Sequence, residues 1–426
     1  MFERLRSFFQ MLGPGLITGA ADDDPSGIAT YAQTGAQFGY NQLWTALFML
    51  PFMIAVQDAC ARIGAVTGKG IAANIRRFYS CKLLYIVCAC VLIANTINIG
   101  ADIGAMAAST QLLLPLPFLE LACGFAIFML LLEIILSYKV YARILKWLSV
   151  FLLAYPLTVF IVSQPWHYLL LSTFIPHIEF NVPFLFIIIG VFGTTISPYM
   201  FFWQASQEVE EEKKSGISRY GKSKISKKYI GHIRLDTVVG MLFSEAATWA
   251  IIVTAATVLH QHGVTTISTA ADAARALEPL VSSFPNAGFL AKLIFSGGVI
   301  GLGLLSVPVL AGSTGYVFAE SFHWHEGLSL HFRNGKGFYG IIIFSTLVGL
   351  LMNVIGIDPI KALVYTAVIN GIVAVPLIFL VGKIAASKKI MGRYKSGLLS
   401  NMLIAITFIV LACSILLLLL SSLHIV

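Results

Sequence analysis

One stretch near the N-terminus decides the fold: Gly13-Pro14-Gly15-Leu16-Ile17-Thr18-Gly19-Ala20-Ala21-Asp22-Asp23-Asp24-Pro25-Ser26-Gly27-Ile28-Ala29-Thr30. It is apolar on both sides of three consecutive carboxylates. An apolar run of this length reads as a membrane-spanning helix. An ionised side chain at the centre of such a span costs about 2.5–3.5 kcal/mol on insertion scales. Three of them demand a polar cavity, a cation or an interface. Pro25 removes a backbone donor and Ser26-Gly27 loosens the chain after it, so the span is expected to break into two half-helices. A break frees carbonyl oxygens, and the first half-helix presents the negative end of its dipole there. Asp24 adds a full charge at that point. The candidate cation site is therefore Asp24 with the backbone around Ala21 and Gly27, and Asp22 and Asp23 lie in the same polar cavity. A simpler role for one of the acids is to cap the second half-helix.

Composition makes the three acids conspicuous. Of 426 residues, 58% are hydrophobic and 11% are charged, against about 25% charged in a soluble domain. A soluble protein, a disordered chain, collagen and a coiled coil are all excluded. The apolar runs do not alternate as barrel strands do. Eleven runs fall at about 13–38, 43–66, 83–113, 118–137, 144–164, 182–207, 234–259, 289–320, 338–355, 358–382 and 398–423, each long enough for a hydrocarbon core of about 30 Å. The reading is an all-α integral membrane protein with about eleven spans in a single transporter domain. With the N-terminus cytoplasmic, all of the 28 Lys and Arg except Arg275, Lys292 and Lys361 fall on the inside, as the positive-inside rule asks. The C-terminus is then extracytoplasmic. The net charge of +8 thus reports orientation in the cell membrane and the lipid bilayer as partner, with no nucleic acid implied. The stretch from Glu208 to Arg234 is expected to be a solvated cytoplasmic loop, and 260–288 an external one with a short helix around Ala270 to Leu280. The N-terminal run is not a cleaved signal, because it continues past the acids and the charge alternation needs it. The six cysteines lie in or beside apolar runs as packing residues.

The sixth span repeats the interruption: Gly193-Thr194-Thr195-Ile196-Ser197-Pro198-Tyr199-Met200-Phe201. Two broken spans, each opening a five-span half, point to an inverted-repeat transporter. The first repeat covers 10–165, the second 182–382, and the helix 398–423 is additional. Ser197, Thr194 and Thr195 can supply oxygens to the site. Other polar residues inside spans are candidates for the cavity or pathway: Asn98 and Asp102 on the third span, Glu245 on the seventh and Asn370 on the tenth. Glu133, near the end of the fourth span, is expected to pair with Lys139 or Arg143.

The first span, with Gly35-Ala36-Gln37-Phe38-Gly39-Tyr40 and Leu43-Trp44, resembles that of the Nramp divalent-metal transporters, and the eleven-span layout is similar too. The resemblance implies a LeuT-like fold of the APC superfamily, with a 5+5 inverted repeat and alternating access around spans 1 and 6. It also implies a divalent cation as cargo and no resident cofactor. The family's first-span motif is Asp-Pro-Gly-Asn; here Asp24 keeps the Asp and Gly27 stands at the Asn position. The family's sixth-span motif is Met-Pro-His; here Ser197 and Tyr199 stand at the Met and His. The soft sulfur is gone, and oxygen sites suit Mg²⁺, Ca²⁺ and Mn²⁺. The pattern resembles the Nramp-related magnesium transporters, so Mg²⁺ is the expected cargo, with Mn²⁺ second. Proton coupling in the family uses third-span acids and the sixth-span His. Here the third span offers Asn95, Thr96 and Asn98, with Asp102 one turn on, so uncoupled flux is expected.

The alternative within the class is a proton-coupled Mn²⁺ or Fe²⁺ importer. The alternative from another class is a Na⁺-coupled carrier of a small organic substrate on the same fold, in which the first-span acids bind the coupling ion. A membrane sensor would need a signalling domain that the sequence does not show. No phosphate loop, metalloprotease helix or nucleophile elbow supports an enzyme. Nothing in the sequence fixes an oligomeric state.

Overall fold

In hydrocarbon every backbone polar group must find its partner within the protein, and long apolar runs do so as helices. The computed structural model describes residues 14–135, 153–214, 218–219, 222–223 and 225–423. Its principal helices are α1 (Pro14–Asp22), α2 (Pro25–Phe38), α3 (Trp44–Thr67), α4 (Ile71–Phe78), α5 (Cys81–Gln111), α6 (Phe118–Ile135), α7 (Ala154–Ile161), α8 (Val182–Thr195), α9 (Pro198–Lys214), α10 (Lys227–Val258), α11 (Ala287–Phe322), α12 (Lys336–Met352), α13 (Pro359–Ala386) and α14 (Leu398–Ser422). Both interrupted spans are present: α1 and α2 flank Asp23-Asp24, and α8 and α9 flank Ile196-Ser197. The close pair at 338–382 is two helices. Gly356 turns at φ +80°, and Asp358 caps α13 by accepting from Ile360 N and Lys361 N, with Pro359 leading the helix. Of the expected fifth span only the part from residue 153 onward lies within the described residues. Eight described helical stretches are long and apolar enough to cross a bilayer, counting α8 and α9 as one, and α12 is shorter.

The packing has the symmetry that two inverted repeats require. The long helix α10 runs against both α1 and α2, while α3 runs against α9. A shift of five spans exchanges these two pairs. At the centre α5 packs along α11. Small residues let the first pair approach closely: a Cβ on Gly19 would collide with the Gly240 carbonyl, and one on Gly35 with the Ile252 carbonyl.

Polar contacts gather at two ends of the bundle. At one, Arg62 holds Asp58, the Tyr394 carbonyl and Ser396, and Arg234 reaches the same Asp58. At the other, Tyr40 meets Thr257 and Gln164, and the His260 ring meets the Ala36 carbonyl. His260 is thus an anchor between elements. The short helix expected around Ala270 to Leu280 is Ala270–Arg275, with a 3₁₀ turn at Glu278–Val281 after it. Glu133 is buried, and Lys139 and Arg143 lie outside the described residues.

The stretch from Glu208 corrects the sequence reading. It is not a loop at its start: α9 continues to Lys214, and Glu208, Glu210 and Glu212 are buried. Two of these carboxylates are held, one from within α9 and one from neighbouring elements. Gln204 donates to Glu208 at 3.0 Å. The Tyr316 hydroxyl and Leu328 N both donate to Glu210. Lys227–Val258 is also helical, so only about a dozen residues between α9 and α10 form the connection, with a two-residue hairpin of β1 (Ser218–Arg219) and β2 (Lys222–Ser223). Close by, past the end of α11, burial first and then the charges of Glu320 and Glu210 push the Glu326 carboxyl up to about 9, against the pull of Lys213. A carboxyl raised on folding adds stability below its unfolded value and loses it as pH climbs towards the folded one. Glu326→Gln is therefore expected to flatten the fall in melting temperature between about pH 6 and pH 9; an unchanged slope would show that Glu326 does not carry it.

Candidate cation site

Asp24 stands at the break with extended backbone, φ −67° and ψ 172°, and Pro25 begins α2 directly after it. Its two carboxylate oxygens do different things. Oδ1 accepts from Gly27 N at 2.8 Å and from Ser26 Oγ at 2.5 Å, so it caps α2. Oδ2 faces inward, accepting from Asn98 Nδ2 at 3.1 Å and from the Tyr199 hydroxyl at 3.3 Å. That hydroxyl is equally close, at 3.3 Å, to the Ala21 carbonyl oxygen at the end of α1. Its single proton serves both acceptors. Asp24, Asn98 and Tyr199 are 1%, 0% and 0% exposed. The simple capping role and the site role thus coexist on one side chain.

This brings together Asp24, Ala21, Asn98 and Tyr199 from α1, α2, α5 and α9. Thr194 is buried beside Ser26, its Oγ1 3.4 Å from Ser26 Oγ. Gly27 contributes differently from expectation. The helix has already resumed there, so its carbonyl is not freed by the break, and its N–H goes to Asp24. Its missing side chain permits close packing: a Cβ would stand 3.2 Å from the Tyr31 ring and 3.3 Å from Thr194 Oγ1, tight against both. Ser197 Oγ lies 2.6 Å from the Thr194 carbonyl and 2.9 Å from the Gly193 carbonyl, closing the end of α8. Its hydroxyl proton is used there, leaving only lone pairs for an ion.

The remaining acids face elsewhere. Asp22 and Asp23 turn to α10, where Ser244 Oγ lies 2.7 Å from Asp22 Oδ2 and 3.2 Å from Asp23 Oδ1. Glu245 follows on the same helix, 4% exposed, with neither oxygen hydrogen-bonded among the described residues. Asp102 lies on α5, one turn beyond Asn98, and accepts from Ser306 Oγ of α11 at 2.9 Å. Asn370 is fully buried with its amide unbonded among the described residues, and no bond joins it to Asp24. Ser244 and Ser306 were not legible as partners. A serine in a small-residue helix gives no sequence sign of which acid it meets. The same holds for Tyr31, whose hydroxyl meets Thr195 at 2.9 Å and ties α2 to the second break.

The family model Nramp, described as natural resistance-associated macrophage protein-like, matches residues 15–421. A divalent metal cation transporter MntH from Caldanaerobacter subterraneus is 25% identical over 374 residues, which is 86% of this chain and 82% of that protein. The MntH of Yersinia enterocolitica is 29% identical over 308 residues, 71% of each chain. Among solved structures, the Eremococcus coleocola manganese transporter, in complex with an aromatic bis-isothiourea substituted compound, aligns with a TM-score of 0.74. That alignment covers 98% of this chain and 87% of the other at 16% identity. MhsT in complex with L-phenylalanine aligns at 0.61, covering 96% and 98% at 13% identity. The fold is LeuT-like, with two inverted five-span repeats, and the protein is a multi-pass membrane protein. With its family model matched over nearly the whole length and both broken spans in place, the chain belongs to the Nramp family.

Proposed function

We propose that this divalent metal cation transporter carries Mg²⁺, with Mn²⁺ as a second substrate, past Asp24 and without proton coupling. The observation that carries the reading is the donor set at Asp24 Oδ2: the Ala21 carbonyl, the Asn98 amide and the Tyr199 hydroxyl. All are hard donors. Mg²⁺ dehydrates reluctantly and is bound through one or two carboxylates while keeping several waters. A soft late transition metal gains little from a site without thioether, thiolate or imidazole. Tyr199 stands where the family has a histidine, and a phenol does not exchange protons near neutral pH as an imidazole does. The breaks at Asp23-Asp24 and Ile196-Ser197 are the hinges for alternating access.

We place the N-terminus in the cytoplasm and the C-terminus outside. The contacts of Arg62 and Arg234 with Asp58, Tyr394 and Ser396 support this, because they gather three segments read as inside onto one end of the bundle.

The second reading, a proton-coupled manganese importer, draws on relatives named for divalent metal and manganese transport. Uptake by purified protein in liposomes separates the two. Mg²⁺, Mn²⁺, Ca²⁺ and Na⁺ are supplied side by side with a pH dye inside. Mg²⁺ and Mn²⁺ are expected to enter without acidifying the lumen. Acidification that follows metal entry, or Cd²⁺ competing with Mg²⁺ at low micromolar levels, would favour the second reading. Amino-acid uptake that requires Na⁺ would replace both.

A further inference from the structure

We propose that Asp102 is the second carboxylate of a two-position cation path. In this arrangement a divalent ion that still carries water sits between Asp24 and Asp102, against Asn98 and Ser306. The inference rests on the reading of Asp24 as the cation site and extends it by one helical turn.

Asn98 and Asp102 are four residues apart on the unbroken helix α5, so they share a face about 6 Å apart along its axis. Asn98 uses its Nδ2 on Asp24, and its Oδ1 has no hydrogen-bond partner among the described residues. Asp102 is held from the other side by Ser306, leaving its Oδ1 without a partner as well. Both side chains are 0% exposed. A buried oxygen without a donor is costly, and a charged one more so. Two such oxygens on one helix face, each with its own side chain anchored, are acceptors that the donors of a cation's water shell would satisfy. Asp102 feels the charge of Asp24, and Tyr199 feels the charges of both. Among the described residues no Lys, Arg or His hydrogen-bonds or ion-pairs with either carboxylate. Two carboxylates match the charge of one divalent ion, and water-mediated contact suits an ion that keeps its hydration. Asp102 lies toward the Gln111 end of α5, the extracytoplasmic end in the orientation proposed above. It is then the first carboxylate an entering ion meets, and Asn98 bridges it to Asp24.

The test uses the full-length protein in liposomes with a fluorescent Mg²⁺ indicator inside. Asp102→Asn is expected to raise the KM for Mg²⁺ by about tenfold or more, the scale of one lost charge-assisted contact. Ser306→Ala frees Asp102 and should raise it by about threefold. Asp102→Glu keeps the charge and should stay within about threefold of the parent. A wild-type KM in Asp102→Asn overturns the proposal. So does a variant set that changes only the yield or melting temperature of folded protein, since that is a structural role. Loss of a pH dependence of uptake with the Mg²⁺ KM unchanged would make Asp102 a proton carrier and also overturns it. Asp24→Asn in parallel separates the two levels. If it transports normally, the underlying site reading falls; if it is silent while Asp102→Asn is normal, only the second position falls. Should Asp102→Asn not fold, Ser306→Ala and Asp102→Glu still read the KM.

Discussion

Asp24→Ala is expected to lower cation uptake about a hundredfold or more, matching the roughly 3 kcal/mol or greater scale of removing one partner from a buried charge pair. The substitution deletes the carboxylate that links the start of α2 to Asn98 and Tyr199. It also deletes the cap on Gly27 N, a loss of about 0.5–2 kcal/mol in stability. Pro25 still fixes the start of α2, so the protein should fold with a modestly lowered melting temperature. Asp24→Asn sharpens the test, because the amide retains a capping oxygen and the size of the side chain but not the charge. Its melting temperature should approach that of the parent while uptake stays lost. Undiminished flux in either variant would remove Asp24 from the site.

Arg62→Met is expected to have the largest effect on stability. Arg62 and Asp58 are each 3% exposed, with Nε 2.8 Å from Oδ2. The same guanidinium donates to the Tyr394 carbonyl at 3.1 Å and to Ser396 Oγ at 2.8 Å, tying α3 to the segment before α14. Removing one partner of a buried pair costs about 3–5 kcal/mol, because the other charge is left in a poor solvent. Arg234 remains 3.2 Å from Asp58, but its side chain is 59% exposed, so it offsets only part of the loss. The drop in melting temperature in detergent should be reversed in large measure by the double variant Asp58→Leu with Arg62→Met, which leaves no orphan charge. Arg62→Lys should also lose stability, since one ammonium cannot reach three acceptors in that fork. A parent-like melting curve for Arg62→Met would show that the pair does not hold the fold.

The helices and both interruptions were legible because the bilayer imposes a length and Pro25 and Pro198 punctuate it. The site was legible as far as Asp24, whose charge has no business in an apolar span. Its partners were less so. Tyr199 and Ser197 stand at the two family positions beside the second break, yet one points at Asp24 and the other back at its own helix end. That choice is made by side-chain rotamers after a proline, which spacing does not encode. The buried glutamates of α9 read as a loop in the sequence because charge density ordinarily marks solvent exposure. Their partners Gln204 and Tyr316 sit one turn back and on another helix. The run of three aspartates hid a division of labour as well: Asp22 and Asp23 answer to Ser244 on α10, and only Asp24 to the centre.

The seam of Gly19 and Gly35 against α10 has a mechanical consequence. The two glycines lie on opposite sides of the break, and both press backbone to backbone on one uninterrupted helix. The break at Asp23-Asp24 is therefore not a free joint. It is a fracture already set against a splint. Neither half of the first span can swing alone without peeling away from α10 at its own glycine or drawing the whole splint along with it.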